Sequence, residues 1–116
     1  MGKNKELGQE GERLAVDYLV GKGFQIRETN FRYKRSEIDI IAANEQLLLF
    51  VEVKIRSTTS FGQPEDFVSE NQVENIMQAA EHYILESDWK GNIRFDIISI
   101  SNHKERSIEH FEDAFH

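Results

Sequence analysis

Two acidic residues and a lysine interrupt neighbouring apolar stretches of the sequence. Asp39 lies within residues 37–41, and Glu52 and Lys54 lie within residues 47–55. The Glu-X-Lys triplet alone means little, because 15 Glu and 7 Lys in 116 residues produce about one such triplet by chance. Its surroundings are more informative, since a solidly apolar strand is typical of burial on both faces of a sheet. A carboxylate there must be paired, protonated or bound to a cation.

The alternation of side chains along a strand predicts how these residues meet. Glu52 and Lys54 share one face of their strand, and Val53 lies on the other. If residues 44–47 form the loop of a hairpin, Asp39 lies directly opposite Glu52. Like charges in such a cross-strand pair are destabilising unless positive charge lies between them.

A hard divalent cation suits this pair of acids. Mg²⁺ binds oxygen ligands, commonly one or two carboxylates together with water and phosphate oxygens. We therefore expect Asp39 and Glu52 to bind Mg²⁺ or Mn²⁺. Beside the ion, Lys54 would position or deprotonate an attacking water, or stabilise charge on a phosphate. The alternative is a structural network of ion pairs at a sheet edge.

Glu12 is a further candidate acid. It lies on a helical line with Gly8, Ala15 and Leu19, and the small residues on that line would let the helix approach the sheet closely. The Glu12 carboxylate would then reach the rim of the ion site. The alternative for Glu12 is an ordinary solvated charge on a helix.

The helices that must position these residues follow from hydrophobic periodicity. Apolar spacing predicts a first helix over residues 5–20, which Gly21 or Gly23 would cap. A second helix should begin at Ser69, which forms a capping pattern with Gln72. The apolar stripe of the second helix comprises Val73, Ile76, Met77, Ala80, Tyr83 and Ile84.

Alternating apolar residues predict four strands, over residues 24–32, 37–43, 47–55 and 93–100. Residues 107–115 add an edge strand or a short turn, and residues 57–68 form a loop. The second helix would cross between parallel strands. These elements predict a single α/β domain over residues 1–116, in which helices flank a mixed central sheet.

The composition narrows the class of protein. The absence of cysteine excludes disulfides, thiolate zinc sites, iron–sulfur clusters and cysteine nucleophiles. The four histidines lack zinc-binding spacing, and we expect them at the surface. The longest apolar run, residues 47–51, is too short to span a bilayer, and the charged N-terminal segment lacks the apolar region of a signal peptide. We expect a cytoplasmic protein with no membrane partner.

The charge of the chain is unevenly distributed. The formal net charge of −7 on its own disfavours nucleic acid as a partner. Residues 58–89, however, carry seven acidic and no basic side chains, and the rest of the chain is balanced. Basic residues gather between residues 22 and 35, so one face of the protein is expected to be acidic and another basic.

The order of an Asp, a hairpin and a Glu-X-Lys triplet within helix, three strands, helix and strand resembles the PD-(D/E)XK nuclease superfamily. The chain is most similar to the YraN-like family of small bacterial proteins within it, over nearly its whole length. The matching segments are GQEGE at 8–12 with Ala15, Tyr18 and Leu19, NFR at 30–32, EIDII at 37–41, FVEVK at 50–54 with Arg56, Phe61 and Gly62 with Pro64, Ala79 and Ala80 with Tyr83, and RFD at 94–96.

This resemblance implies a restriction-endonuclease-like core of order αβββαβ. It also implies metal-dependent hydrolysis of phosphodiester bonds in nucleic acid, with DNA as the expected polymer and Mg²⁺ or Mn²⁺ as the cofactor. By the same resemblance, Asp39 and Glu52 would bind the metal within the catalytic set, Lys54 would be the catalytic lysine, and Glu12 would be the acid that the first helix adds.

Contacts to nucleic acid are expected from Arg32, Lys34, Arg35, Arg56 and Gln72. At the start of the second helix the family commonly has a lysine followed by further basic residues, where this chain has Gln72, Glu74 and Asn75. Each lost phosphate contact should weaken binding and flatten its dependence on salt.

Two other functions stay open. The domain would in one case be a non-catalytic nucleic-acid-binding module that keeps the acidic cluster for structure. In the other it would be a protein-interaction domain whose acidic segment, residues 65–88, binds a basic partner. The sequence also leaves the oligomeric state open between a monomer and a homodimer.

Overall fold

The computed structural model describes residues 2–56, 69–101 and 107–115, and only the backbone of residues 2–8 and of Arg56. The elements are α1 (Gly2–Gly21), β1 (Gln25–Tyr33), β2 (Ser36–Ala43), β3 (Leu47–Arg56), α2 (Glu70–Ser87), β4 (Asn92–Ser101) and β5 (Ser107–Phe111). The observed order αβββαββ is one strand longer than the predicted αβββαβ, because β5 pairs with β4 as an edge strand. The predicted loop over residues 57–68 lies outside the described residues.

The strands form one mixed sheet in the order β1-β2-β3-β4-β5. β3 and β4 are parallel, and the other neighbouring pairs are antiparallel. Parallel neighbours need a long crossover connection, and α2 lies in the connection between β3 and β4, as predicted. The hairpin register places Ala42 opposite Leu49, which confirms residues 44–47 as its loop. Neither described helix is long and apolar enough to cross a membrane.

The helix α1 packs closely against one face of the sheet. Ala15 and Leu19 are fully buried in a cluster with side chains of β2, β3 and β4. The approach is close at Gly11, where a Cβ atom would overlap Cδ1 of Ile55 and lie 2.6 Å from its Cγ1. The helix ends at Gly21, and Gly23 just after it has a φ of +97°, a left-handed conformation that glycine adopts without strain.

The helix α2 packs against the opposite face of the sheet. Ser69 caps it as predicted, since its Oγ accepts a hydrogen bond of 3.2 Å from the backbone N–H of Gln72. The buried residues of α2 are Ile76, Ala79, Ala80 and Tyr83. Met77, which the sequence placed in the apolar stripe, is 42% exposed. That prediction was wrong because the small side chain of Ala79 packs against the sheet and turns Met77 outward.

A buried carboxylate ties β5 to the rest of the sheet. Asp96 accepts two hydrogen bonds of 2.9 Å from Arg94, one of 2.6 Å from the ring of His110 and one of 3.0 Å from the N–H of Asp113. Burial raises the pKa of Asp96, but the hydrogen bonds from His110, Arg94 and Asp113 outweigh it and hold the pKa below its usual value.

His110 also links this network to α1, because its Nδ1 lies 3.1 Å from the hydroxyl of Tyr18. The prediction that all four histidines lie at the surface is wrong for His110, whose side chain is only 6% exposed. A histidine on an edge strand carries no sequence signal of the buried carboxylate that it meets.

The contact at Gly11 predicts opposite effects of adding one methyl group at two glycines of α1. Gly11→Ala should lower the free energy of unfolding by about 1–3 kcal/mol, because Ile55 must leave its packed position. Gly21→Ala is the matched control, since open space surrounds Gly21, and should leave stability unchanged or raise it by up to about 1 kcal/mol. Urea denaturation measures both, and equal effects of the two substitutions would contradict the close approach.

Candidate metal centre

The antiparallel pairing of β2 and β3 gives way to a side-chain contact at Asp39. The paired residues run as far as Ile40 opposite Val51. One residue further, Asp39 Oδ2 accepts a hydrogen bond of 2.8 Å from the backbone N–H of Val53. The Asp39 carboxylate is therefore directed at β3, where the register leads to Glu52.

Glu52 lies beside Asp39 in a poorly hydrated position, with its side chain 10% exposed. Burial raises the pKa of Glu52 to about 8, and the charge of Asp39 and a hydrogen bond between the two carboxyl groups contribute to the rise. Lys54 lowers this pKa, with its Nζ 3.9 Å from Glu52 Oε1. That distance is long for a hydrogen bond, so Lys54 offsets only part of the repulsion.

Glu12 approaches Asp39 from α1. Burial raises the pKa of Glu12 and the charge of Asp39 raises it further, whereas a hydrogen bond from Asn30 lowers it. Such a charge effect operates between neighbouring groups. Glu12 therefore belongs to the acidic cluster and is not an isolated solvated charge.

Glu37 joins this cluster, although the sequence analysis did not single it out. One carboxylate oxygen from each of Glu12, Glu37 and Asp39 lies within 4.8 Å of the others. Arg32 forms an ion pair of 3.3 Å with Glu37. The available signal was the two-residue spacing of Glu37 and Asp39 along β2, which alternation places on one side of a strand.

An open cleft of about 320 Å³ gives access to the acids. Its walls come from the turn between β1 and β2, from β2 and β3, and from the first two turns of α2. The lining residues are Arg35, Ser36, Glu37, Asp39, Glu52, Gln72, Asn75 and Ile76. A ligand can thus reach Glu37, Asp39 and Glu52 from solvent, whereas Glu12 and Lys54 are not among the lining residues.

The residues predicted to contact nucleic acid are spread around this cleft. Arg35 and Gln72 line it. Arg32 is 78% exposed at its rim, and Lys34 faces a separate depression between the β1–β2 turn and α2. The side chain of Arg56 lies outside the described residues. Of the predicted contacts, Arg35 and Gln72 are therefore best placed to meet a ligand bound at the acids.

The donors gathered here fit a hard divalent cation. They are carboxylate oxygens, the ligand type that Mg²⁺ and Mn²⁺ prefer. Burial, and after it the charge of Asp39, raises the pKa values of Glu12 and Glu52, and a bound dication would favour the ionised form of both groups. The structure groups Glu12 with Asp39 and Glu37, places Glu52 across from Asp39 in the strand register, and places Lys54 3.9 Å from Glu52. Their roles as metal ligands and catalytic lysine stay predictions.

Comparison with known proteins places the chain among relatives of similar length. Residues 11–100 match the family described as "Uncharacterised protein family UPF0102". A UPF0102 protein of Flavobacterium psychrophilum is 45% identical, over 100% of this chain and 98% of its own. One of Christiangramia forsetii is 46% identical over 99% and 98%, and one of Thermodesulfovibrio yellowstonii is 44% identical over 95% and 96%.

The raised pKa values predict that the metal-free protein loses stability as the pH rises. A carboxyl group whose pKa is higher in the folded than in the unfolded chain stabilises the fold at low pH, and this contribution disappears as the pH rises through the folded value. For Glu52 the affected range is between pH 4.5 and about 8. We expect the free energy of unfolding in EDTA to fall by about 1–3 kcal/mol between pH 5.5 and pH 8.

The variant Glu52→Gln isolates this effect, because it removes the charge and keeps the shape. It should flatten the pH dependence measured by urea denaturation, while Glu74→Gln on the exposed side of α2 should leave it unchanged. A wild-type stability that rises over this range, or a slope that Glu52→Gln does not alter, would contradict the environment assigned to Glu52.

Proposed function

This chain belongs to the uncharacterised protein family UPF0102, and on that premise we propose that it is a metal-dependent endonuclease of the PD-(D/E)XK type. It would hydrolyse phosphodiester bonds of nucleic acid, with DNA as the polymer to test first and Mg²⁺ or Mn²⁺ as the cofactor. The family name assigns no activity, so the proposal depends on the site itself.

The convergence of acids from α1, β2 and β3 on Asp39, which lines an open cleft, carries the proposal. Asp39 is fixed toward β3 by the N–H of Val53, Glu12 and Glu37 lie within 4.8 Å of it, and Glu52 lies across from it in the register of β2 and β3. A structural ion-pair network would neutralise the acids with basic groups. Arg32 pairs with Glu37 at 3.3 Å, but Lys54 stays 3.9 Å from Glu52, whose pKa remains raised.

Each residue of the site would have a separate role in hydrolysis. Asp39 and Glu52 would hold the ion, with Glu12 supporting from α1. A bound Mg²⁺ or Mn²⁺ would supply Lewis-acid stabilisation of charge on the phosphate and lower the pKa of water. Lys54, half-buried beside Glu52, would orient the attacking water or donate a proton to a phosphate oxygen.

The cleft also indicates the kind of substrate. It is shallow and open, so a phosphate within a polymer can enter from the side, and the Arg35 guanidinium at the wall can pair with a phosphate oxygen. Gln72 and Asn75 also line the cleft, and their neutral amides attract a phosphate less strongly than basic side chains would. We therefore expect modest affinity with a weak dependence on salt.

The direct test is cleavage of DNA by the purified protein. With Mn²⁺ it should nick supercoiled or branched DNA, and EDTA should stop the reaction. Asp39→Asn and Lys54→Ala should each lower the nicking rate by at least about 100-fold, because one removes a metal ligand and the other the lysine that acts on water or phosphate. Asp17→Asn and Lys90→Ala, both at exposed positions, are the matched controls and should keep full activity.

Circular dichroism must show that each variant remains folded. Salt-sensitive binding of DNA without cleavage by Mg²⁺ or Mn²⁺ would favour the non-catalytic binding module. Cleavage that survives Asp39→Asn would show that the activity belongs to another site or a contaminant.

Arg35 gives a separate prediction on binding. Removal of one phosphate contact lowers the slope of log K against log salt concentration by about 1. Arg35→Ala should therefore weaken DNA binding in low salt and reduce that slope. Arg27→Ala is the control, since Arg27 lies over the rings of Tyr83 and Trp89. If the slope of log K against log salt concentration is the same for wild type and Arg35→Ala, DNA does not bind at the Arg35 wall of the cleft.

A further inference from the structure

Asn30 occupies an unusual backbone position beside the acidic cluster. Its φ of +52° is in the left-handed region, which asparagine tolerates better than most residues other than glycine. In the register of β1 and β2, Thr29 pairs with Ile40 and Phe31 with Ile38. Asn30 therefore lies across from Asp39, in the strand next to it.

The Asn30 amide bridges two of the acids. With its nitrogen turned toward them, Nδ2 donates to Glu12 Oε1 at 2.9 Å and to Glu37 Oε1 at 2.8 Å. The opposite orientation would bring the amide oxygen against two carboxylate oxygens, which is repulsive. Both amide hydrogens are thus used to hold carboxylates of α1 and β2 close to each other.

Glu37 is engaged on both of its oxygens. Asn30 contacts its Oε1, and Arg32, two residues further along β1, contacts its Oε2 at 3.3 Å. Two donors of one strand thus fix the Glu37 carboxylate to β1. Glu37 serves as the anchor of the amide, and Glu12 is the acid that the amide holds toward Asp39.

We propose that Asn30 is a positioning residue, which holds Glu12 beside Asp39 before the ion binds and uses Glu37 as its fixed partner. The inference rests on the proposed function, in that the cluster must bind a divalent cation. Without the amide, Glu12 and Glu37 repel each other and separate. An ion would then have to reassemble the site, and loss of such a supporting contact commonly costs about 10- to 100-fold in metal affinity.

The test is Mn²⁺ binding to the full chain, measured by isothermal titration calorimetry. Asn30→Gly removes the amide and tolerates the left-handed backbone, and we expect it to raise the Mn²⁺ dissociation constant by about 10-fold. Asp88→Gly is the matched control, because Asp88 has a φ of +55° and forms its ion pair with Lys90. Asp88→Gly should bind Mn²⁺ as the wild type does.

Two further substitutions separate the anchor from the ligand. Glu12→Gln should weaken Mn²⁺ binding more than Glu37→Gln, because Asn30 and Arg32 already engage both oxygens of Glu37. Equal affinity of Asn30→Gly and wild type, or a greater loss in Glu37→Gln than in Glu12→Gln, would overturn the inference. A wild type that does not bind Mn²⁺ would instead overturn the proposed function.

Asn30→Asp tests the same contact by thermal stability in the absence of metal. It also serves as the second variant if Asn30→Gly does not fold. It keeps the shape and the tolerance of a left-handed backbone but replaces the donor by an acceptor. In EDTA its midpoint of thermal unfolding should fall below that of the wild type by more at pH 8 than at pH 5.5, since repulsion requires ionised carboxylates. An equal deficit at both pH values would show a merely structural role and overturn the inference.

Discussion

Electrostatic repulsion among carboxylates at the end of the β2–β3 pairing is the constraint on which the site depends. Four acids meet there, and the pKa values of Glu12 and Glu52 are raised because burial and the charge of Asp39 both oppose ionisation. Such an arrangement costs stability in the metal-free chain. It persists only because packed elements hold the acids from several directions.

The packing of those elements explains how the acids stay together. The absence of a side chain at Gly11 lets α1 lie against Ile55, which brings the next residue, Glu12, to the sheet. The N–H of Val53, left without a strand partner where the pairing ends, holds Asp39. On the far side, Tyr18 contacts His110, so α1 is tied to the sheet at a second point. A change in any of these contacts would move an acid.

Much of this arrangement could be predicted from the sequence because it follows from local periodicity. Alternation along β3 placed Glu52 and Lys54 on one face, and the hairpin loop fixed the register toward Asp39. The helical line through Ala15 and Leu19 brought Glu12 to the sheet. Each inference needed only the spacing of residues within one or two neighbouring elements.

The parts that could not be predicted depend on contacts between distant segments. Asn30 is an ordinary polar residue in a strand pattern, and its left-handed backbone appears only when β1 and β2 pair. The burial of His110 depends on Asp96, 14 residues away along the chain. That Ala79 and Ala80 are buried while Met77 is exposed is set by tertiary packing rather than by hydrophobicity.

The location of a bound ion tests the central claim most directly. Crystals grown with Mn²⁺ should show one strong anomalous difference peak in the cleft, coordinated by Asp39 together with Glu52 or Glu12. A peak away from Asp39, or none there at saturating Mn²⁺, would contradict the claim that these carboxylates are held together to bind a divalent cation.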